Sequence, residues 1–329
     1  MAAYLVRRLL GLAPVLFAAA TLVWALLFLL PGDPARLIAG GQGSDPEVLR
    51  AIRAEWGLDE PPVRQYLAYM GKLLRGDLGR SLVQDRPVNA VIGEAFPATL
   101  ILACAALLLS SAGALLLGSL AAFHPGRLAD RAVLLFAAVS VSAPVFWLGL
   151  MLMLLFAGTL RWLPVLGYGM EGPVLPLLGV RLPEWDHLVL PALTLGIATM
   201  GTTARLTRAS LLQTRSEDYL RTAASKGASR SRVFLRHALR NALIPVVTVV
   251  GLDFAALLGG AVATEYVFAW PGLGKTLVRA IALRDLPLVE GCVLFLTAIA
   301  VLVNLAVDLL YVRLDPRVPL GPPSPGSLG

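Results

Sequence analysis

Few side chains in this sequence are placed to do covalent chemistry. His124, His187 and His237 are scattered and form no ligand cluster along the chain, so no metal site is expected. Cys104 and Cys292 stand alone in apolar stretches and read as packing residues. Gly274-Lys275-Thr276 ends like a phosphate-binding loop, but the glycine required five residues before Gly274 is Ala269. No nucleophile–base pair appears, so an enzyme is not expected. The chemistry that remains is electrostatic. Asp253 and Asp308 interrupt apolar stretches where a carboxylate costs roughly 2.5–3.5 kcal/mol, so both should face a bundle interior or water. Asp253, in mid-stretch, reads as a residue of a solute pathway or as a bond to a neighbouring helix. Asp308, near the end of its stretch, reads as structural. Glu265 closes a stretch and suits either a gate or a loop anchor.

One segment differs from its surroundings. From Glu217 to Pro245 the chain is basic and mostly polar, and it reads as two short helices broken at Gly227. Ala223, Ala224 and Gly227 are small enough to enter a groove on a partner. Lys226, Arg230, Arg232 and Arg236 can pair with partner carboxylates or inner-leaflet phosphates. The same residues also suit an ordinary loop whose charges set topology only.

The elements that position these residues are membrane helices. The chain is 57% hydrophobic with a mean hydropathy of +0.75. Six stretches approach or exceed the roughly 20 apolar residues that cross a bilayer. They are Leu9 to Leu30, Phe96 to Phe123, Ala132 to Leu160, Leu188 to Ala204, Leu243 to Thr264 and Gly291 to Val312. A soluble core would need polar helical faces that these lack. The first is too long for a signal h-region and lacks a cleavage site, so it is read as a retained span. Pro164 to Val180 is apolar, but three prolines, four glycines and Glu171 make it an external or re-entrant loop.

The +7 charge does not point to nucleic acid, because its distribution follows the positive-inside bias. With the N-terminus in the cytoplasm, the inner pieces 1–8, 124–131, 205–242 and 313–329 hold two, two, nine and two Lys/Arg. The short outer loops hold only Arg161, Arg181, Lys275, Arg279 and Arg284. The long outer loop 31–95 balances eight basic against nine acidic residues, and long loops translocate regardless of charge. Within it, Ser44-Asp45-Pro46-Glu47 starts a helix over Val48 to Trp56. After Pro61-Pro62, Val63, Tyr66, Leu67, Met70, Leu73 and Leu74 share one helical face. That helix suits the membrane–water boundary or packing on the tops of the spans. The tail 319–329, rich in Pro, Gly and Ser, reads as disordered.

The basic segment resembles the coupling loop of ATP-binding-cassette (ABC) importer permeases. That loop typically reads Glu-Ala-Ala, three residues, Gly, nine residues, Ile-x-Leu-Pro. Here Arg221 and Thr222 stand where Glu and the first Ala would be, Ala223 and Gly227 match, and Arg240 replaces the proline, which arrives instead at Pro245. These departures are similar to the peptide-transporter branch, as are Arg236-His237-Ala238-Leu239 and the residues to Pro245. Further resemblance lies in Leu30-Pro31-Gly32-Asp33-Pro34, Gln65-Tyr66, Arg75-Gly76-Asp77-Leu78-Gly79-Arg80-Ser81 and Pro97-Ala98-Thr99-Leu100. It continues in Ser142-Ala143-Pro144-Val145-Phe146-Trp147-Leu148-Gly149, Leu190-Pro191-Ala192-Leu193-Thr194-Leu195, Trp270-Pro271-Gly272-Leu273-Gly274 and Asp315-Pro316-Arg317. The chain is identified as a member of the B-type permease subunits of the dipeptide/oligopeptide/nickel ABC importers.

The resemblance implies an all-α, polytopic protein of bacterial or archaeal cytoplasmic membranes, with six transmembrane helices of the type I importer kind over 9–318 and both termini inside. It implies a second, C-type permease, two cytoplasmic ATPase subunits and an extracytoplasmic substrate-binding protein as partners, besides membrane lipid. Docking to the ATPases falls to Arg221, Thr222, Ala223, Ala224, Ser225, Lys226, Gly227 and Arg232. This chain would hold no cofactor, with ATP and Mg on the ATPase chains. The other readings are an ion-coupled secondary transporter, for which Asp253 is the best ion-loading acid, and a membrane scaffold without transport.

Overall fold

The computed structural model describes residues 2–29, 33, 35–36, 45–169, 172–175, 180–215, 217 and 239–314. It is mostly helical. Helix α1 is Ala2–Leu29, α2 Pro46–Trp56, α3 Pro62–Leu74, α4 Val88–Phe123, α5 Leu128–Ser142 and α6 Val145–Leu152. A π-helical stretch, Met153–Thr159, extends α6. Then follow α7 Trp185–Arg215, α8 Leu239–Val267, α9 Leu273–Ala282 and α10 Leu286–Leu314. The expectation of an all-α chain needs amending by two small antiparallel hairpins. Strand β1 (Arg80–Ser81) pairs with β2 (Arg86–Pro87), and β3 (Val174–Leu175) with β4 (Val180–Arg181). The second hairpin lies in the Pro/Gly-rich stretch read as a loop.

Among the described residues, four helices are long and apolar enough to cross a membrane: α4, α7, α8 from Pro245, and α10 to Leu309. The pair α5 and α6 counts as a fifth only if its bend is part of one span. The apolar part of α1 runs Leu10–Ala25. The stretch Ala132 to Leu160, expected as one span, is in fact broken, with a bend of 112° between Ser142 and Val145. The cause is Pro144. It removes an N–H and forces Ala143 out of the helical region, to φ −81° and ψ 130°. Pro97, Pro191 and Pro245 lie inside continuous helices.

The chain divides into two units. The first comprises residues 1–100 and 269–302. Its core joins Val88, Val91, Ile92 and Ala95 of α4 to Leu273 and Ala280 of α9 and Leu288 and Cys292 of α10. Phe96 and Phe295 meet edge to face at 5.1 Å. Helix α2 starts as expected, with the Asp45 side chain accepting the Glu47 N–H at 2.8 Å. Arg53 reaches back from α2 to Asp33 at 2.9 Å, and this bond holds the Asp33 carboxyl below the usual carboxylate range.

The second unit comprises residues 101–268 and 303–329. Its helices approach through small residues, as membrane helices do where no hydrophobic force drives them together. Ala114, Ala121, Val133, Met200 and Ala204 form one buried cluster. A Cβ on Gly201 would sit 1.9 Å from the Ser140 hydroxyl oxygen and 2.8 Å from the Ala137 Cα, so the α5–α7 crossing requires glycine there. Gly201→Val is expected to cost about 1–3 kcal/mol by overpacking. A lowered thermal midpoint of the detergent-solubilised protein checks this. Cys104, by contrast, is exposed rather than packed.

Candidate functional site

The expected docking residues, Arg221 to Gly227 and Arg232, lie outside the described residues, as do the tail 319–329 and Arg230 and Arg236. What the structure does place is the pair of helix ends on either side of those residues. Leu211 and Leu212 near the end of α7 pack with Leu239 and Ala242 at the start of α8, and with Ala122 of α4. The chain therefore leaves α7 and returns in α8 at one packed point. Next to it, Arg208 on α7 makes a two-pronged ion pair with Asp130 on α5. Arg208 Nε donates to Asp130 Oδ1, and Nη2 donates to Oδ2 at 2.8 Å. The Gly126 N–H donates to the same carboxylate at 2.8 Å. Asp130 is buried, so its lone pairs are filled by protein donors rather than water. This clamp was not anticipated from sequence. Its only linear signal was a single acid in an otherwise basic inner piece.

Asp253 is half-buried on α8 and accepts a hydrogen bond at 2.8 Å from the buried Thr203 hydroxyl of α7. The bond ties the two helices and leaves the second carboxylate oxygen for another donor. Glu265 is fully buried near the end of α8, beside buried Thr264, rather than at a surface. Asp308 is half-buried and engaged in an interaction of its own. The three acids thus differ in burial, and Asp253 is tied to a neighbouring helix through Thr203.

The sequence motifs of the first unit do come together. Trp270 is fully buried, and its indole N–H donates to the Ala98 carbonyl at 2.8 Å. The Leu273 N–H donates to the Thr99 hydroxyl oxygen at 2.8 Å. Trp270-Pro271-Gly272-Leu273 is therefore a lock on Pro97-Ala98-Thr99 at the start of the membrane-crossing part of α4. Lys275 donates to the Ala269 carbonyl at 2.9 Å, closing its own turn. In the motif Arg75 to Ser81, the buried Ser81 hydroxyl donates to buried Asp285 just before α10. Asn89 donates to the Gly76 carbonyl at 2.6 Å. Gly76 and Gly79 both take positive φ, 75° and 83°, which the turn requires.

Two features escaped the linear reading. A cavity of about 860 Å³ in the first unit is lined by Trp24, Tyr69, Lys72, Arg80, Glu290 and others. Burial, and then nearby Glu290, push the Tyr69 phenol up, and its oxygen has no hydrogen-bond partner. Glu184, Asp186 and His187 bring ligand atoms within 4.8 Å of one another, a grouping not expected of scattered histidines. Residues this near in sequence at a helix start meet by adjacency; His187 Nε2 lies 3.9 Å from Glu184, and the buried Nδ1 has no hydrogen-bond partner among the described residues.

Residues 114–319 match the family described as "Binding-protein-dependent transport system inner membrane component". Residues 1–103 match the N-terminal family of the same transport-system membrane components. The chain belongs to this permease family. It is 41% identical over 315 residues to the glutathione transport system permease protein GsiC of Escherichia coli O6:H1, covering 96% of this chain and 98% of that one. Its identity to the GsiC of Salmonella choleraesuis is 42%, with the same coverage. Among solved structures, an amino acid ABC transporter with histidines aligns over 70% of this chain and 95% of its own, at 14% identity and a TM-score of 0.48.

The permease is a multi-pass inner-membrane subunit of a binding-protein-dependent ABC importer, and it is not itself an enzyme. Membership of this family replaces the ion-coupled and scaffold readings.

Proposed function

We propose that this permease forms one half of a peptide translocation pathway and that its basic segment 216–238 is the lever on which a separate ATPase acts. The observation that carries the proposal is the packed junction of Leu211, Leu212, Leu239 and Ala242, backed by the Asp130–Arg208 clamp. A lever transmits force only if its base is stiff. Here both ends of the segment share one base on the bundle.

In this reading the chain has six spans: α1, α4, the bent pair α5–α6, α7, α8 and α10. Both termini and residues 205–242 lie in the cytoplasm, and residues 31–95 lie outside. The positive-inside distribution supports that orientation. A C-type permease completes the type I bundle, two ATPase subunits carry ATP and Mg, and a binding protein delivers cargo. ATP binding closes the ATPases, draws the segments around Gly227 together and opens the pathway outward. Hydrolysis resets it. Glutathione, the cargo named for the relatives, is a tripeptide, which supports short peptides as the substrate class.

Asp253 is the pathway acid in this scheme, and Glu265 the buried gate anchor. Asp253→Asn can still accept the Thr203 bond but carries no charge. It is expected to lower uptake severalfold while leaving assembly unchanged, measured as labelled-peptide uptake per assembled complex. Unchanged uptake would make Asp253 a structural tie like Asp308.

The test of the function is uptake by proteoliposomes holding the full complex, with binding protein outside and ATP trapped inside. Peptide accumulation that needs ATP and binding protein and survives a proton uncoupler is expected. Uptake that follows the proton gradient without ATP would contradict the proposal.

A further inference from the structure

The geometry points to α3 as a helix embedded in the membrane surface, with its Val63–Leu67–Met70–Leu74 stripe in contact with lipid acyl chains. The inference rests on the reading of α1 as a span. Tyr66 of α3 lies against α1 in three ways. Its hydroxyl is 2.7 Å from that of Thr21, and its ring meets Phe17 at 6.2 Å and Trp24 at 5.2 Å, both edge to face. All three α1 residues fall within the apolar stretch Leu10–Ala25. A helix fastened sideways to the apolar part of a span cannot stand clear of the bilayer.

The face of α3 next to Tyr66 carries the stripe, and buried Gln65 lies opposite it. Val63 is 69% exposed, Leu67 63% and Leu74 89%. With Met70 they follow the i, i+4, i+7, i+11 spacing of one helical face. Water is a poor neighbour for such a face, and acyl chains are a good one. The stripe continues surface that α1 also leaves open, at Phe17 and Leu22. Trp24 and Tyr66 are rings of the amphipathic kind enriched at the headgroup level. Arg75, exposed just past the end of α3, has a stem long enough to reach phosphates while its shaft stays in the apolar layer. The polar side of α3 is held by protein: buried Gln65 donates to the Leu58 and Glu60 carbonyls at 3.1 and 2.7 Å. Gln65-Tyr66 thus fixes both the turn behind α3 and its depth.

The experiment uses the full complex in lipid nanodiscs with Cys104→Ser. Cysteines introduced one at a time at Leu67, Phe17 and Asp59 carry a bimane label, and the buried Cys292 is left in place. Quenching by nitroxide lipid labelled near the headgroup is compared with quenching by aqueous iodide. Leu67→Cys is expected to lose fluorescence to the nitroxide lipid and to resist iodide, as Phe17→Cys does, while Asp59→Cys in the turn between α2 and α3 shows the reverse. Iodide quenching at Leu67→Cys with lipid quenching at Phe17→Cys would overturn the embedding of α3 alone. Quenching of Leu67→Cys by neither agent would place protein, such as the second permease, over the stripe and would also overturn it. Absence of lipid quenching at Phe17→Cys would overturn the α1 span itself.

Discussion

Gly227→Asp is expected to lower ATP-driven uptake by at least about tenfold while the variant still inserts and still assembles with its second permease. Gly227 follows Ala223 and Ala224 by three to four residues in the sequence, and the proposed contact is one of backbone and small side chains. An aspartate adds volume where a partner groove must close. It also adds negative charge where Lys226, Arg230 and Arg232 are expected to meet carboxylates. Like-charge juxtaposition at an interface costs several kcal/mol, and each 1.4 kcal/mol is a factor of ten in binding. The check is a pair of measurements on one preparation: ATPase activity and peptide uptake. Activity without uptake is the uncoupled state the assignment requires. Normal uptake would show that the docking point lies elsewhere.

Trp270→Ala is expected to have the largest effect on stability, lowering it by about 3–5 kcal/mol, the usual cost of emptying a buried large aromatic site. The indole is fully buried, and its N–H satisfies the Ala98 carbonyl. Trp270→Phe keeps most of the volume and loses the hydrogen bond, so about 0.5–1.5 kcal/mol is expected. Thermal unfolding of the solubilised complex separates the two variants. Equal midpoints for Ala and wild type would mean that the lock between 97–99 and 270–273 does not hold the first unit together.

The long apolar stretches were legible because membrane solvent imposes a simple rule: a helix must be long and uncharged. The starts of α2 and α3 were legible because caps and prolines act within a few residues. The break at Pro144 had a local signal too, but an interior proline does not by itself say whether a helix kinks or continues. Pro97, Pro191 and Pro245 continue, and Pro144 does not. The Asp130–Arg208, Ser81–Asp285 and Trp270–Ala98 pairs join residues 78, 204 and 172 positions apart. No spacing rule reaches that far. The motifs were visible as strings, and only folding shows that Trp270 to Leu273 closes on Ala98 and Thr99. Asp253 was read as a pathway acid or as a bond to a neighbouring helix; the structure adds its bond to Thr203, a residue that could not be named in advance.

The most direct test of the central claim is purification of the tagged chain from native membranes in mild detergent, with mass spectrometry of what accompanies it. A second permease and ATPase subunits are expected, with a binding protein recovered when cargo is present. Recovery of the chain alone, or as a homodimer without any ATPase, would contradict the claim.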